Sequence, residues 1–77
     1  MIEAYVLIHT DIRKTRQVVE ELRKIHGVVT AAVVAGPYDA IARIEAVDLD
    51  SLGKLLVNKI QGVDGLNRTL TCSITAS

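Results

Sequence analysis

Two groups of residues in this chain have the types and spacing to hold a small polar ligand. The first is the run Gly36-Pro37-Tyr38-Asp39. Gly36 has no side chain and adopts a positive φ without penalty, so either a ligand comes close there or the residue simply makes a hairpin turn. Pro37 removes one backbone donor from the same turn. Tyr38 offers a flat apolar wall with a hydroxyl at its tip, suited to a subunit seam or to covering a sheet edge. Asp39 can hold an ammonium group by a charge-assisted hydrogen bond, or tie the turn by accepting from backbone N–H groups. The second group is Thr69, Thr71, Ser73 and Thr75, alternate residues that point the same way along a strand. Such a row of hydroxyls can receive a carboxylate. It can equally be the solvated face of a terminal edge strand, where threonine is at home.

Reactive constellations are thinner. His9 and His26 could each titrate, yet neither has a cysteine, serine or carboxylate at a spacing that makes a triad or a metal set. His26 at the end of a helical pattern is explained by the macrodipole. Cys72 alternates with Leu70 and Ile74 and reads as a small buried hydrophobe rather than a nucleophile. Arg13, Lys14 and Arg16 fall on the first turns of a helical stretch, and read as a solvated face or a contact for an acidic partner. No catalytic residue, cofactor or metal site is expected.

Composition narrows the class further. At 77 residues the chain is expected to be one domain over 1–77, of a size that buries only roughly 60% of the surface its unfolded state exposes. Association is one remedy. The single Cys72 rules out an internal disulfide. Nine basic and nine acidic residues cancel, so the electrostatic footprint of a domain that grips phosphates is missing. No apolar run reaches transmembrane length and no leader is evident before the first strand, so a cytoplasmic protein is expected.

The elements that must position these residues follow from periodicity. Residues 3–9 place Ala4, Val6 and Ile8 on one face and Tyr5 and Leu7 on the other, a strand apolar on both sides. Thr10 and Asp11 supply oxygens able to cap a helix over about 12–26, whose Val18, Val19, Leu22 and Ile25 recur at helical spacing. Gly27 reads as its left-handed stop. Residues 28–35 and 40–47 read as two further strands flanking the Gly36-Pro37-Tyr38-Asp39 turn. Asp48 or Asp50 can cap a second helix, with Leu49, Leu52, Leu56 and Ile60 along one face and Leu55 and Val57 beside them. Gly62 and Gly65 bracket its end. A closing strand over 67–75 sets the hydroxyl row against Leu70, Cys72 and Ile74.

That order, βαββαβ, predicts an α+β ferredoxin-like sandwich: an antiparallel sheet with both helices on one face. The sequence leaves open which alternating set meets the helices. Either way the other face keeps one apolar set from each strand, more than a soluble monomer normally leaves wet. It is expected to dimerise through that face, burying on the order of 1,600 Å².

Certain segments carry a resemblance: Ala4-Tyr5-Val6-Leu7-Ile8, His26-Gly27-Val28-Val29, the Gly36-Pro37-Tyr38-Asp39 turn, and Gly65-Leu66-Asn67-Arg68-Thr69-Leu70-Thr71. Together they resemble the effector-binding (RAM) domain of the Lrp/AsnC regulators over essentially the whole chain. The Gly-x-Tyr-Asp turn between the middle strands is the most specific piece. Members of that family carry a helix-turn-helix domain ahead of this one, whereas the sequence opens at the first effector-domain strand. The resemblance thus implies a stand-alone effector domain with no direct nucleic acid contact. It further implies dimers that assemble into ring-like oligomers, small amino-acid effectors bound at the seams, and full-length Lrp/AsnC-type regulators as possible partners. Because the family's last strand borders the effector site, it points to Gly36, Tyr38, Asp39, Thr69 and Thr71 as ligand-binding residues. A reading from another class is a dimeric ferredoxin-like barrel enzyme of the small monooxygenase or isomerase type, with His9, Tyr5 and Arg43 in a pocket between sheet and helices. A purely structural assembly factor that has lost ligand binding is a third.

Overall fold

A computed structural model describes residues 1–75. The chain forms β1 (Ile2–Thr10), α1 (Thr15–Arg23), β2 (Val28–Val33), β3 (Ala40–Ala46), α2 (Leu49–Lys54) running on into a π-helical segment (Leu55–Ile60), and β4 (Leu66–Ser73). The strands lie in the order β2-β3-β1-β4, every neighbouring pair antiparallel. Each helical crossover therefore skips one strand, the split βαβ arrangement of a ferredoxin-like sandwich.

The residues that face the helices are now decided. Ala4, Val6 and Ile8 of β1 and Ala40, Ala42 and Ile44 of β3 are almost completely buried, together with Val18, Val19 and Leu22 of α1 and Leu52, Leu55 and Ile60 of the second helix. Small side chains at 31, 40 and 42 let the helices settle close to the sheet centre. Arg23 adds a pin by donating from Nε to the Ala31 carbonyl at 2.9 Å.

The first helix is shorter than its periodicity predicts. Residues 11–14 make a separate turn in which Lys14 N–H donates to the Asp11 carbonyl at 3.0 Å, and Arg13 sits at φ 75°. That conformation breaks a right-handed helix for a residue with a Cβ. Helix α1 accordingly starts at Thr15, with Lys14 at its N-cap and no side-chain cap. The expected cap oxygens are used elsewhere. Thr10 Oγ1 is 2.6 Å from Thr15 Oγ1, and it is the Asp11 carbonyl that closes the turn. At the far end the helix stops at Arg23 with Lys24 as its C-cap, not at the expected Gly27, which at φ 104° belongs to the turn leading into β2.

The second helix is capped by Asp48, whose Oδ1 accepts from Ser51 N–H at 2.8 Å. That bond holds the Asp48 carboxyl below its ordinary value. Its buried face differs from the expected one: Leu49 and Val57 are each 69% exposed, while Leu52, Leu55 and Ile60 are buried. The reason is the change of pitch. From Leu55 the helix closes i→i+5 bonds, as in Gln61 N–H to the Leu56 carbonyl at 2.9 Å, which puts Leu55 and Ile60 over one another.

The closing strand also departs from expectation. By register Thr69, Thr71 and Ser73 share the helix-side face with Ile8, Val6 and Ala4, and Leu70 and Cys72 lie on the opposite face with Leu7 and Tyr5. Cys72 is therefore exposed on this chain, not buried, and Leu70 is 49% exposed. Every residue of this edge strand is at least partly exposed, so neither of its faces is fully covered.

Candidate functional site

The Gly36-Pro37-Tyr38-Asp39 turn stands at the end of the sheet where β1 finishes and β3 begins. Its hairpin is closed by Val34 N–H donating to the Asp39 carbonyl at 3.0 Å, and it is tied to the neighbouring strand by Asp39 N–H donating to the Ile8 carbonyl at 2.9 Å. The Asp39 side chain continues this tie, since Oδ2 accepts from Thr10 N–H at 2.9 Å. The turn-tying role foreseen for Asp39 is thus filled by one oxygen. Among the described residues its Oδ1 takes no hydrogen bond.

His9 completes the cluster. Its ring stacks on Tyr38 with centroids 4.5 Å apart and an interplanar angle of 29°, and its Nδ1 lies 3.8 Å from Asp39 Oδ2. Tyr38 is therefore a wall with a second aromatic behind it, only partly exposed. Gly36 has φ 153°, and a Cβ built there would meet nothing within 4 Å, so the tip of the turn is open to an approaching group. Sequence reasoning placed His9 only in the enzyme alternative. The signal that would have found it is the alternation from Tyr5 and Leu7, which sets His9 on their face and at the strand end beside the turn.

Thr69 and Thr71 are placed differently. They pair with Ile8 and Val6 across β1, on the helix-covered side, and Thr69 Oγ1 accepts from Gln61 Nε2 at 2.7 Å. From Asp39 to Thr69 is two strand spacings, roughly 10 Å, and the two residues alternate to opposite faces. Within one chain the structure brings Gly36, Tyr38 and Asp39 together and leaves Thr69 and Thr71 apart from them.

The face away from the helices is organised in rows. Leu7 is flanked by Ile41 and Leu70, and Tyr5 by Arg43 and Cys72. Glu3 and Glu45 oppose each other directly, a like-charge pair that is unfavourable on its own. Arg43 relieves it: the guanidinium bonds Glu3 and lies 3.8 Å from Glu45. His9, Tyr5 and Arg43 therefore do not stand between sheet and helices, where the enzyme reading put them, but on the uncovered face. They alternate with the core residues Ala4, Val6, Ile8, Ala42 and Ile44, which take that interior space.

A concavity of about 370 Å³ lies at the opposite end of the sheet from the Tyr38 cluster, against His26, Gly27, Glu45, Val47, Ser51 and Leu55. Among the described residues no group of three or more His, Cys, Asp or Glu could hold a metal ion. No helix among them is long and apolar enough to cross a membrane.

Comparison with known proteins gives this geometry a context. An uncharacterized HTH-type transcriptional regulator of Pyrococcus abyssi is 33% identical over 75 residues, which is 97% of this chain and 48% of the relative. The chain thus spans about half the length of the curated relatives it matches. Among solved structures, that of FFRP-DM1 superposes with a TM-score of 0.91 at 32% identity, covering 96% of this chain and 99% of the other. The complex of a Neisseria meningitidis transcriptional regulator with L-Met shares the fold, with a TM-score of 0.87 at 12% identity over 99% of this chain and 51% of the other. The model of the Lrp/AsnC ligand binding domain matches residues 3–76, nearly the whole chain, and the protein therefore belongs to that family.

Proposed function

We propose that this chain is an amino-acid-binding regulatory domain that works as an oligomer and is not an enzyme. The observation that carries the reading is the uncovered sheet face: an apolar row of Leu7, Ile41 and Leu70 at its centre, ending in the stacked His9–Tyr38 pair and Asp39. A soluble domain of this size has reason to cover such a face with a second copy, giving a dimer, with ring-like assembly of dimers beyond it. Gly36, Tyr38 and Asp39 then lie at the rim of a subunit seam, where an effector touches more than one chain. Thr69 and Thr71 border the same strand edge from the helix side and complete the site from a neighbouring copy. The single 1–77 domain acts in the cytoplasm, in partnership with full-length Lrp/AsnC-type regulators that supply the DNA contact.

Membership of a ligand-binding family whose relatives are named as transcriptional regulators supports the regulatory part of this reading. The methionine complex of the Neisseria regulator, on the same fold, supports an amino acid as effector. An effector at a seam shifts assembly only by the difference in its affinity for the assembled and separated states. Sedimentation velocity with and without each standard amino acid, paired with calorimetric titration, is the test. The expected result is binding heat for at least one amino acid and a change in assembly size with it. A monomer at all concentrations, with no heat from any, overturns the proposal.

A further inference from the structure

We infer that the outer side of the second helix is a docking surface for the same helix of a second copy, laid antiparallel around Gly53. This rests on the oligomeric reading above and gives it a second contact, on the side of the chain opposite the uncovered sheet face.

Three residues on one line carry the inference. Leu49 and Val57 are each 69% exposed, while Leu52, Leu55 and Ile60 hold the helix onto the sheet. Midway between the two exposed residues stands Gly53. Its backbone is helical and not of positive φ, and a Cβ built there would meet nothing within 4 Å. Neither turn geometry nor packing among the described residues therefore calls for glycine, which weakens a helix interior relative to alanine. Close approach of another backbone does call for it. Leu49, Gly53 and Val57 line one concavity with Asp50, Lys54 and Asn58, and all of these residues are exposed.

The pattern of size and charge decides which occupant fits. A two-fold axis at Gly53 reverses the second helix, so that Leu49 of each copy meets Val57 of the other, and the paired glycines let the helix axes come to the near end of the usual range of roughly 8–10 Å. The same rotation keeps the flank of Asp50, Lys54 and Asn58 on one side in both copies. Asp50 lies before Gly53 and Lys54 directly after it, so reversal leaves Lys54 only about 3 Å along the axis from Asp50 of the second copy. Within one chain Lys54 Nζ already lies 3.2 Å from Asp50 Oδ2, and across the seam the charges alternate in sign. Parallel packing would instead set lysine beside lysine. Exposed ion pairs add little affinity, so the charges fix direction while the apolar pairs and the glycine supply the contact.

The contact is small. Two paired helices of this length bury at most about 1,200 Å² in total, the low end of specific interfaces, which is too little to hold single chains together. Copies already paired through the sheet present two such grooves, and each groove engaged raises the effective concentration for the next. Dimers are thereby linked to dimers, and two different two-fold contacts on one chain either close a ring or run on as a fibre.

The experiment is sedimentation velocity of the full 77-residue chain over a range of concentrations, repeated on Gly53→Gln, Asp50→Lys and Lys54→Asp. Wild type should pass beyond the dimer. Each variant should need roughly 10-fold more protein to do so, since a side chain at the crossing holds the helices apart and either charge change gathers like charges at the seam. An equimolar mixture of Asp50→Lys with Lys54→Asp should regain the wild-type assembly, because cations on one copy then face anions on the other. Melting temperature separates this from misfolding: Gly53→Gln should melt at or above wild type, as it adds a better helix former where no described residue is displaced. Variants that associate as wild type does, a mixture no larger than its components, or a wild type that stops at the dimer would overturn the helix contact while the effector reading stands. A wild type that is monomeric at all concentrations overturns that reading and this inference with it.

Discussion

The two faces of one sheet differ in what they bury and in what they tolerate. On the helix-covered side, Ala4, Val6, Ile8, Ala40, Ala42 and Ile44 form a surface without a charged atom. On the other side the same two strands carry Tyr5, Leu7 and Ile41 interleaved with Glu3, His9, Arg43 and Glu45. The covered face is built for permanent exclusion of water. The uncovered face keeps an apolar middle but ends in groups that remain hydrated or paired, the composition of a surface that meets a partner and can also part from it. Under the proposed function, stability falls to one side of a layer one strand thick and association to the other.

The largest effect that tests this division comes from the covered face. Ile8 is fully buried, and Ile8→Ala removes its side chain from a site where helices and sheet cannot fully close the gap. The expected loss is about 2–5 kcal/mol, against a total of about 4–12 kcal/mol for a chain of this length. Urea titration followed by circular dichroism should show a midpoint far below wild type. A shift of less than 1 kcal/mol, expected only for surface changes, would mean the helix-side layer is not the core.

The comparison is sharpened by the matching change on the other side. Leu7 is one residue from Ile8 and lies at the centre of the uncovered row. Leu7→Asp puts a charge where the proposed partner face would land, with no helix above it. The chain should keep its secondary structure and appear as a monomer by sedimentation equilibrium at concentrations where wild type associates. Unchanged association would break the assignment of that face as the interface.

How far these faces were legible in the sequence follows from the same residues. Alternation along 3–9 sets Ala4, Val6 and Ile8 against Glu3, Tyr5, Leu7 and His9, but Tyr5 and Leu7 make the second set apolar at its middle, and the sequence reading left the inner set open. The choice is made by tertiary packing: alanines at 31, 40 and 42 align across the sheet and admit the helices only from that side. Cys72 was misplaced for the same reason, because its alternation with Leu70 was read as burial and not as membership of the uncovered face. The phase of the second helix was out of reach in a different way. Leu49 and Val57 fit an ideal helical stripe, yet both are exposed, and the change to i→i+5 closure from Leu55 shifts the phase of the residues that follow it. Of the site, the turn was legible from glycine, tyrosine and aspartate in a row. The stacking of His9 on Tyr38 was not, since it depends on how a strand end and a turn far apart in sequence come together.

The smallest expected effect asks whether the helix layer can be weakened without touching the uncovered face. Asp48 caps α2 by accepting from Ser51 N–H, at a surface position remote from Leu7 and Tyr38. Asp48→Ala leaves that N–H without its side-chain partner, which should lower the melting temperature by a few degrees and leave association unchanged. The pH dependence gives the sign independently. Because the Ser51 hydrogen bonds hold the folded-state carboxyl below its ordinary value, the cap's contribution is fully present above the ordinary carboxylate range. It is lost as pH falls through the lower folded value. The difference in melting temperature between wild type and Asp48→Ala should therefore be constant at neutral pH and shrink in acid. A difference that grows on acidification would show that Asp48 does not act through its ionised form, and a change in assembly at neutral pH would show that the two faces are not energetically separate.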